Sequence, residues 1–225
     1  MHIEPGIVEG SKMALGYATA AGSVLFTAKM ALQALKTDGL VSLALRSVLT
    51  TILVFGFFQL LPHPPVGVSE VHLIMGSTLF LLFGLTPAAI GLTLGLLAQG
   101  LFLAPFDLPQ YGINLTTLLV PLFAMGVLAK KIIPAKTAYK DIKYSQALKL
   151  STAYQGGIVT WVAFWAFYGQ GFGAENIASV ASFGAAYMTV ILLEPLVDLA
   201  VLAAAKALHR FQDSGLFENR LFNEA

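Results

Sequence analysis

The first two residues of the chain, Met1 and His2, form a potential metal chelator. A free α-amine at Met1, the amide nitrogen of His2 and Nδ1 of its imidazole can bind one metal ion together, because two chelate rings join them. Planar nitrogen donors of this kind suit Ni²⁺, Cu²⁺ and low-spin Co²⁺ far better than Mg²⁺ or Ca²⁺. The bulky side chain of His2 normally prevents removal of the initiator methionine, so we expect Met1 to keep its amine. A functional site still requires a second ligand on the same side of the membrane.

The composition predicts that these residues belong to a membrane protein. Of 225 residues, 57% are hydrophobic and only 11% are charged, which is typical of an all-α, polytopic transmembrane helical bundle. We expect residues 1–225 to form a single transmembrane domain. The sequence has no cysteine, which excludes a disulfide framework, a thiolate metal site and a cysteine nucleophile.

The apolar runs predict about seven helices, since a membrane span needs roughly 20 apolar residues. The run over 70–104 is too long for one span, and Pro87 fits the first turn of a new helix. We therefore divide it into helices over 70–84 and 87–104. The other predicted helices lie near residues 13–36, 40–61, 114–133, 151–171 and 178–205.

The distribution of lysine and arginine predicts how these helices cross the cell (inner) membrane. Several lysines lie close together around the connection between the predicted helices 114–133 and 151–171, and the positive-inside rule places them in the cytoplasm. With seven helices, Lys12 is the only one of the 13 Lys and Arg residues outside, whereas six helices would send Lys36 and Arg46 outward. The expected regions are an external N-terminal metal-binding segment 1–12, a basic cytoplasmic connection 134–150 and a cytoplasmic C-terminal tail 206–225.

Two of the four histidines converge in this topology. His72 begins the third predicted helix on the same outer side as His2. His63 is also external, but a histidine between prolines in a loop is more often exposed to solvent than a ligand. His209 lies at the cytoplasmic end of the last helix, beside Arg210, where we expect an interfacial residue.

The sequence resembles the CbiM/NikM family, the substrate-binding (S) components of energy-coupling-factor ABC importers for cobalt and nickel. The resemblance covers residues 1–125 by motif and the rest by hydropathy. The motifs are Met1-His2-Ile3 with Gly6, a Pro/Gly-rich external loop followed by Ser69-x-x-His72, and Gln99 with Gly112-Ile113-Asn114.

The resemblance implies a square-planar metal site. Its donors would be the Met1 amine, the His2 amide nitrogen and imidazole, and the imidazole of His72, with Asn114 ordering the surrounding loops. Co²⁺ or Ni²⁺ would be the transported substrate, with no organic cofactor, and both metals accept these donors. The implied partners are a transmembrane T component and ATPase subunits. We further expect contact with membrane lipid and none with nucleic acid.

The sequence shows no sign of an enzyme. It has no His-Glu-x-x-His zinc motif, no Gly-x-Ser-x-Gly elbow and no phosphate-binding loop, so uphill import would need separate ATPase subunits. One alternative is a stand-alone channel or secondary transporter whose pathway runs along Lys29, Glu194 and Asp198. A second is a membrane metalloenzyme using His2 and His72, although a four-nitrogen planar site lacks the open position it would need.

Two features within the helices have structural interpretations. Ionisable groups are costly inside a membrane, so we expect Lys29 and Glu194, which lie at similar depth, to form an ion pair rather than an ion relay. Ala14, Ala18 and Gly22 line one face of the first helix and allow close backbone approach. That face can pack within the chain or meet the T component.

Overall fold

The computed structural model describes residues 3–207 and 215–224, and most of these residues are helical. The prediction of an all-α fold is confirmed. Two short strands, β1 and β2, form a hairpin between the second and third helices, and short 3₁₀ turns cover residues 10–12, 105–110, 139–141 and 189–192. The elements are α1 Met13–Thr37, α2 Leu40–Leu60, β1 Pro65–Val66, β2 Ser69–Glu70, α3 Gly76–Phe83, α4 Leu85–Phe102, α5 Tyr111–Ile132, α6 Tyr144–Gln170, α7 Ala174–Met188, α8 Glu194–Ala207 and α9 Asn219–Phe222.

Four stretches of the described residues are long and apolar enough to cross a membrane. They correspond to α2, to α4, to α5 with the turn before it, and to α7 with α8. The chain is therefore a membrane protein, as its composition predicts. The four stretches are Leu40–Leu60, Leu85–Phe102, Pro105–Ile132 and Ala174–Ala207.

The predicted division of the 70–104 run is confirmed. The break lies at Gly84, whose φ of +88° suits glycine and few other residues, and Pro87 falls in the first turn of α4. The first helix of the pair is shorter than predicted, because α3 begins only at Gly76. The residues before it, 71–75, are extended or irregular and connect β2 to α3.

The helix predicted over 178–205 lies within the candidate span Ala174–Ala207, but it is interrupted. The α-helix stops at Met188, a 3₁₀ turn follows, and α8 begins at Glu194. Pro195 explains the break, because proline has no backbone N–H to donate and its ring clashes with the preceding turn of a helix. At the start of α8 neither problem arises.

Helix α5 forms the centre of the bundle and packs against α1, α4 and α6, with most of its side chains buried. The contact with α1 is close at Gly16, where an added Cβ would lie 2.7 Å from the side chain of Ile113. The face with Ala14, Ala18 and Gly22 is exposed in the structure, and the neighbouring face of α1 packs instead. Internal packing therefore does not use the predicted small-residue face.

The C-terminal segment 215–224 docks on the end of α2 that lies away from the hairpin. Arg46, which is 2% exposed, forms ion pairs with Asp38 and with Glu218, the latter at 3.0 Å. The backbone N–H of Glu218 donates to the carbonyl of Leu82 at 2.8 Å. Burial raises the pKa of the Glu218 carboxyl, although the neighbouring Arg46 opposes this shift.

Candidate metal centre

A β-hairpin positions the first part of the candidate site. Strands β1 and β2 pair antiparallel, with Val66 opposite Ser69, and Gly67 occupies the turn with φ +62°. A Cβ at Gly67 would lie 2.1 Å from the carbonyl oxygen of Ser179, so only glycine fits between the turn and α7. The hairpin is thus held against α7, and the chain leaves β2 in the direction of residue 72.

The N-terminal segment extends this hairpin. Ile3, the first described residue, forms an antiparallel bridge with Ser69 and is completely buried. The backbone N–H of Glu4 donates to the carbonyl of Val68 at 3.2 Å. On its other side, the N–H of Ile3 donates to Oδ1 of Asn114 at 3.0 Å. The backbone nitrogen of Ile3, which bonds to the preceding residue, is therefore held between the hairpin and α5.

His72 lies two residues beyond the hairpin and is only 1% exposed. Its Nε2 is 2.8 Å from Oε2 of Glu70, and the edge of Phe58 meets its ring at a centroid distance of 5.3 Å. An ionised carboxylate can only accept, so this contact favours the tautomer with hydrogen on Nε2 and a lone pair on Nδ1. Carboxylates hold many metal-binding imidazoles in this way, fixing both tautomer and ring orientation.

His63 joins Glu70 and His72 in a cluster. The two imidazole rings stack in parallel with centroids 4.9 Å apart, and Nδ1 of His63 lies 3.8 Å from Oε2 of Glu70. One potential ligand atom from each of the three residues lies within 4.8 Å of the others. Two imidazoles and a carboxylate are suitable donors for Co²⁺, Ni²⁺ or Zn²⁺. His63 is 39% exposed, so the cluster is open at the His63 side and buried at His72.

Asn114 is the other predicted residue that the structure describes. It is 1% exposed on α5, and its Nδ2 has no hydrogen-bond partner among the described residues. Gln99 is also buried, on α4, but no hydrogen bond joins it to Asn114. Asn114 is hydrogen-bonded to the N-terminal segment through the backbone N–H of Ile3.

The predicted metal-site grouping stays a prediction, and the structure shows what connects two of its residues. Ile3 touches both Asn114 and the hairpin that leads to His72, so the N-terminal segment connects these two predicted residues. Met1, His2 and His209 lie outside the described residues. Sequence analysis missed Glu70, although alternation along an extended chain places residues two apart on the same side, and Glu70 and His72 have that spacing.

The expected ion pair between Lys29 and Glu194 is wrong. Lys29 is exposed on α1, whereas Glu194 is completely buried and accepts hydrogen bonds from Ser151 and Gln155. Asp198 is likewise buried. Lys29 therefore does not lie on one path with these two carboxylates.

A family model for the cobalt uptake substrate-specific transmembrane region, CbiM, matches residues 2–210. The chain belongs to the CbiM family. It is thus a membrane component of cobalt uptake, and CbiM is a transport family rather than an enzyme family. The match includes the hairpin, the His63–Glu70–His72 cluster and Asn114. Comparison with curated protein sequences and with solved structures gives no significant match.

Proposed function

We propose that the chain is the substrate-capture subunit of an ATP-driven importer and binds Co²⁺ through the Met1 amine, the His2 amide and imidazole, and His72. The observation that carries the proposal is the anchoring of Ile3. Its nitrogen is bound to Asn114 while its backbone pairs with the hairpin that leads to His72. The proposed donors of Met1 and His2 directly precede Ile3. The backbone that carries them is therefore joined to the same part of the structure that holds His72.

The donors explain how capture depends on pH. An α-amine has an unperturbed pKa of about 7.7–8.0 and must lose its proton to bind a metal. The His2 amide must lose its proton as well. Capture therefore releases protons and weakens on acidification. Ni²⁺ accepts the same planar nitrogen donors, so the proposed cargo class includes both metals.

The source of energy lies outside this chain in the proposal. The sequence has no phosphate-binding loop, so ATP hydrolysis falls to separate ATPase subunits, coupled through a transmembrane T component. A planar site whose four in-plane positions are all filled by protein nitrogens is suited to capturing an ion.

The proposal places the metal centre outside the cell, which cysteine labelling can test. Lys136 is exposed in the basic connection expected in the cytoplasm, and Glu175 is exposed at the start of α7 on the expected outer side. We expect an impermeant maleimide to label Glu175→Cys, but not Lys136→Cys, in intact cells. Permeabilised cells provide the control, since both positions should then react. The reverse pattern in intact cells would refute the topology.

Glu70 is proposed as a positioning residue for His72, and a Glu70→Gln variant tests this role. The amide loses the charge that selects the Nε2–H tautomer, so we expect Co²⁺ affinity to fall by about 10–100-fold, as for other outer-shell partners of metal-binding histidines. Isothermal titration of the detergent-purified protein measures the affinity. The pH dependence of binding should also change, because the metal ion and the proton compete for the imidazole and the Glu70 carboxylate affects its basicity.

Glu9→Gln is the matched control for Glu70→Gln. Glu9 is an exposed carboxylate in the N-terminal segment and is not part of the His63–Glu70–His72 cluster. Its replacement should leave the affinity unchanged. Equal affinities in the Glu70→Gln variant and the wild type would show that Glu70 does not position a metal ligand.

A further inference from the structure

A second group of chemically active residues lies inside the bundle, away from the hairpin. Glu194 and Asp198 are both completely buried on α8, and their spacing of four residues places them on the same helix face. None of the ion pairs among the described residues includes either carboxylate. Two ionised carboxylates without a cation are very costly in an apolar interior.

Neutral donors surround Asp198. The hydroxyl of Ser77 donates to Oδ2 at 2.8 Å, and the hydroxyl of Thr78 donates to Oδ1. Both donors come from the first turn of α3. These hydrogen bonds orient the carboxylate but do not neutralise it.

Glu194 is held in a similar way by α6. Its Oε2 accepts from the hydroxyl of Ser151 at 2.6 Å and from Nε2 of Gln155 at 2.5 Å. Oε1 of Glu194 and Oε1 of Gln155 are also buried, yet neither has a hydrogen-bond partner among the described residues. Gln155 is completely buried, and its hydrogen bond to Glu194 joins the two side chains that carry these acceptor oxygens. Acceptors that lack donors are what a bound cation requires.

Two tyrosines complete the polar region. Tyr154 and Tyr187 are completely buried, and their hydroxyls have no hydrogen-bond partner among the described residues. Both lie within electrostatic range of Glu194. Tyr154 also packs on Gly76, where an added Cβ would lie 2.2 Å from the tyrosine ring. Buried hydroxyls, an amide and two carboxylates are thus contributed by α3, α6, α7 and α8.

A short stretch of chain connects this region to the outer cluster. Ser77 follows His72 by five positions, so their Cα atoms can lie at most about 18 Å apart. The connecting segment passes Gly76, against which Tyr154 packs. The inner carboxylates therefore lie one short segment away from the proposed capture site.

We propose that Glu194 and Asp198 form a second, inner site for a divalent cation. One divalent ion balances the two carboxylate charges, and the available donors are all oxygen, which suits hard cations better than the nitrogen donors of the outer site. For Co²⁺ such a site binds more weakly than the outer one, as an intermediate stop on a transport path requires. The existence of the inner site is independent of the proposed function, whereas its role in transit rests on that function.

Equilibrium dialysis of the detergent-purified chain against Co²⁺ and Mn²⁺ tests the inner site. We expect one class of tight binding sites for Co²⁺ and one class of weaker sites that Mn²⁺ also fills. Glu194→Gln and Asp198→Asn should each remove the weaker class and keep the tight class, which also reports that the variant is folded. Glu175→Gln, an exposed carboxylate on α7, is the matched control and should keep both classes.

His72→Ala separates this proposal from the proposed function. That variant should lose the tight class and still bind one Mn²⁺ per chain. It therefore tests the inner site even if the carboxylate variants do not fold. Absence of the weaker class at millimolar Mn²⁺, both from the wild type and from His72→Ala, would overturn the inner site, because the carboxylates would then be neutralised by protons alone. If the wild type showed no tight class of Co²⁺ sites, this result would contradict only the outer site.

Metal analysis of the chain purified without added metal identifies the source of the ion. Co-purified Mg²⁺ or Ca²⁺ that Co²⁺ does not displace indicates a resident structural ion. Displacement by Co²⁺ indicates the transported ion in transit. Both results support a divalent cation between Glu194 and Asp198.

Discussion

A Gly-Ser dipeptide placed before Met1 is expected to abolish tight Co²⁺ binding although every side chain is retained. The extension turns the Met1 amine into an amide and moves the terminal amine off the chelate. Loss of a direct ligand should exceed the 10–100-fold cost of losing an outer-shell partner, so we expect affinity to fall by more than about 100-fold. Isothermal titration of the purified protein and Co²⁺ uptake by cells both measure the effect.

A Gly-Ser dipeptide added after Ala225 is the matched control. It adds the same flexible residues to a terminus but alters no proposed donor, so affinity and uptake should be unchanged. Equal activity of the two extended proteins would remove the N-terminal chelate from the account. The His63–Glu70–His72 cluster would then be the remaining candidate for capture.

His72→Ala is the second change with a large expected effect. His72 is 1% exposed and is held by Glu70, so its loss removes an oriented donor that water cannot replace in a buried site. We expect high-affinity binding of Co²⁺ and Ni²⁺ to disappear, and His2→Ala should have the same effect. Titration of the detergent-purified variants provides the measurement, and unchanged affinity in His72→Ala would refute the proposed donor set.

His63→Ala distinguishes two possible donor sets. His63 stacks on His72, but its Nδ1 is 3.8 Å from Glu70, beyond hydrogen-bond distance, and its side chain is 39% exposed. The N-terminal chelate does not need it, so we expect only a small change in affinity. A loss as large as that of His72→Ala would show that the metal binds between His63, Glu70 and His72 instead.

The sequence predicted the helix boundaries best where one residue controls the backbone. Pro87 marked the break between α3 and α4, because proline fits the first turn of a helix. The structure places the break itself at Gly84, which adopts a positive φ. Pro195 likewise marks the first turn of a new helix and interrupts the last predicted helix. It was missed because the apolar run continues on both sides of it, and hydropathy does not register a change in backbone direction.

The side chains of the site were harder to predict. Hydropathy placed Lys29 and Glu194 at a similar depth, but depth does not fix the rotation of a helix about its axis. Lys29 consequently faces outward while Glu194 faces the bundle interior. Predicting the contact of Glu70 with His72 required knowledge that residues 69–72 are extended rather than helical. In a helix the two side chains would point in different directions.

In the proposed metal centre, one cobalt ion binds beside His72 together with the N-terminus. Anomalous diffraction at the cobalt absorption edge, from crystals of the Co²⁺-loaded protein, tests this most directly. The account predicts the strongest anomalous peak within bonding distance of a ring nitrogen of His72, of the Met1 amine and of the His2 nitrogens. A strongest peak elsewhere, between Glu194 and Asp198 or between His63 and Glu70 without the N-terminus, would contradict it.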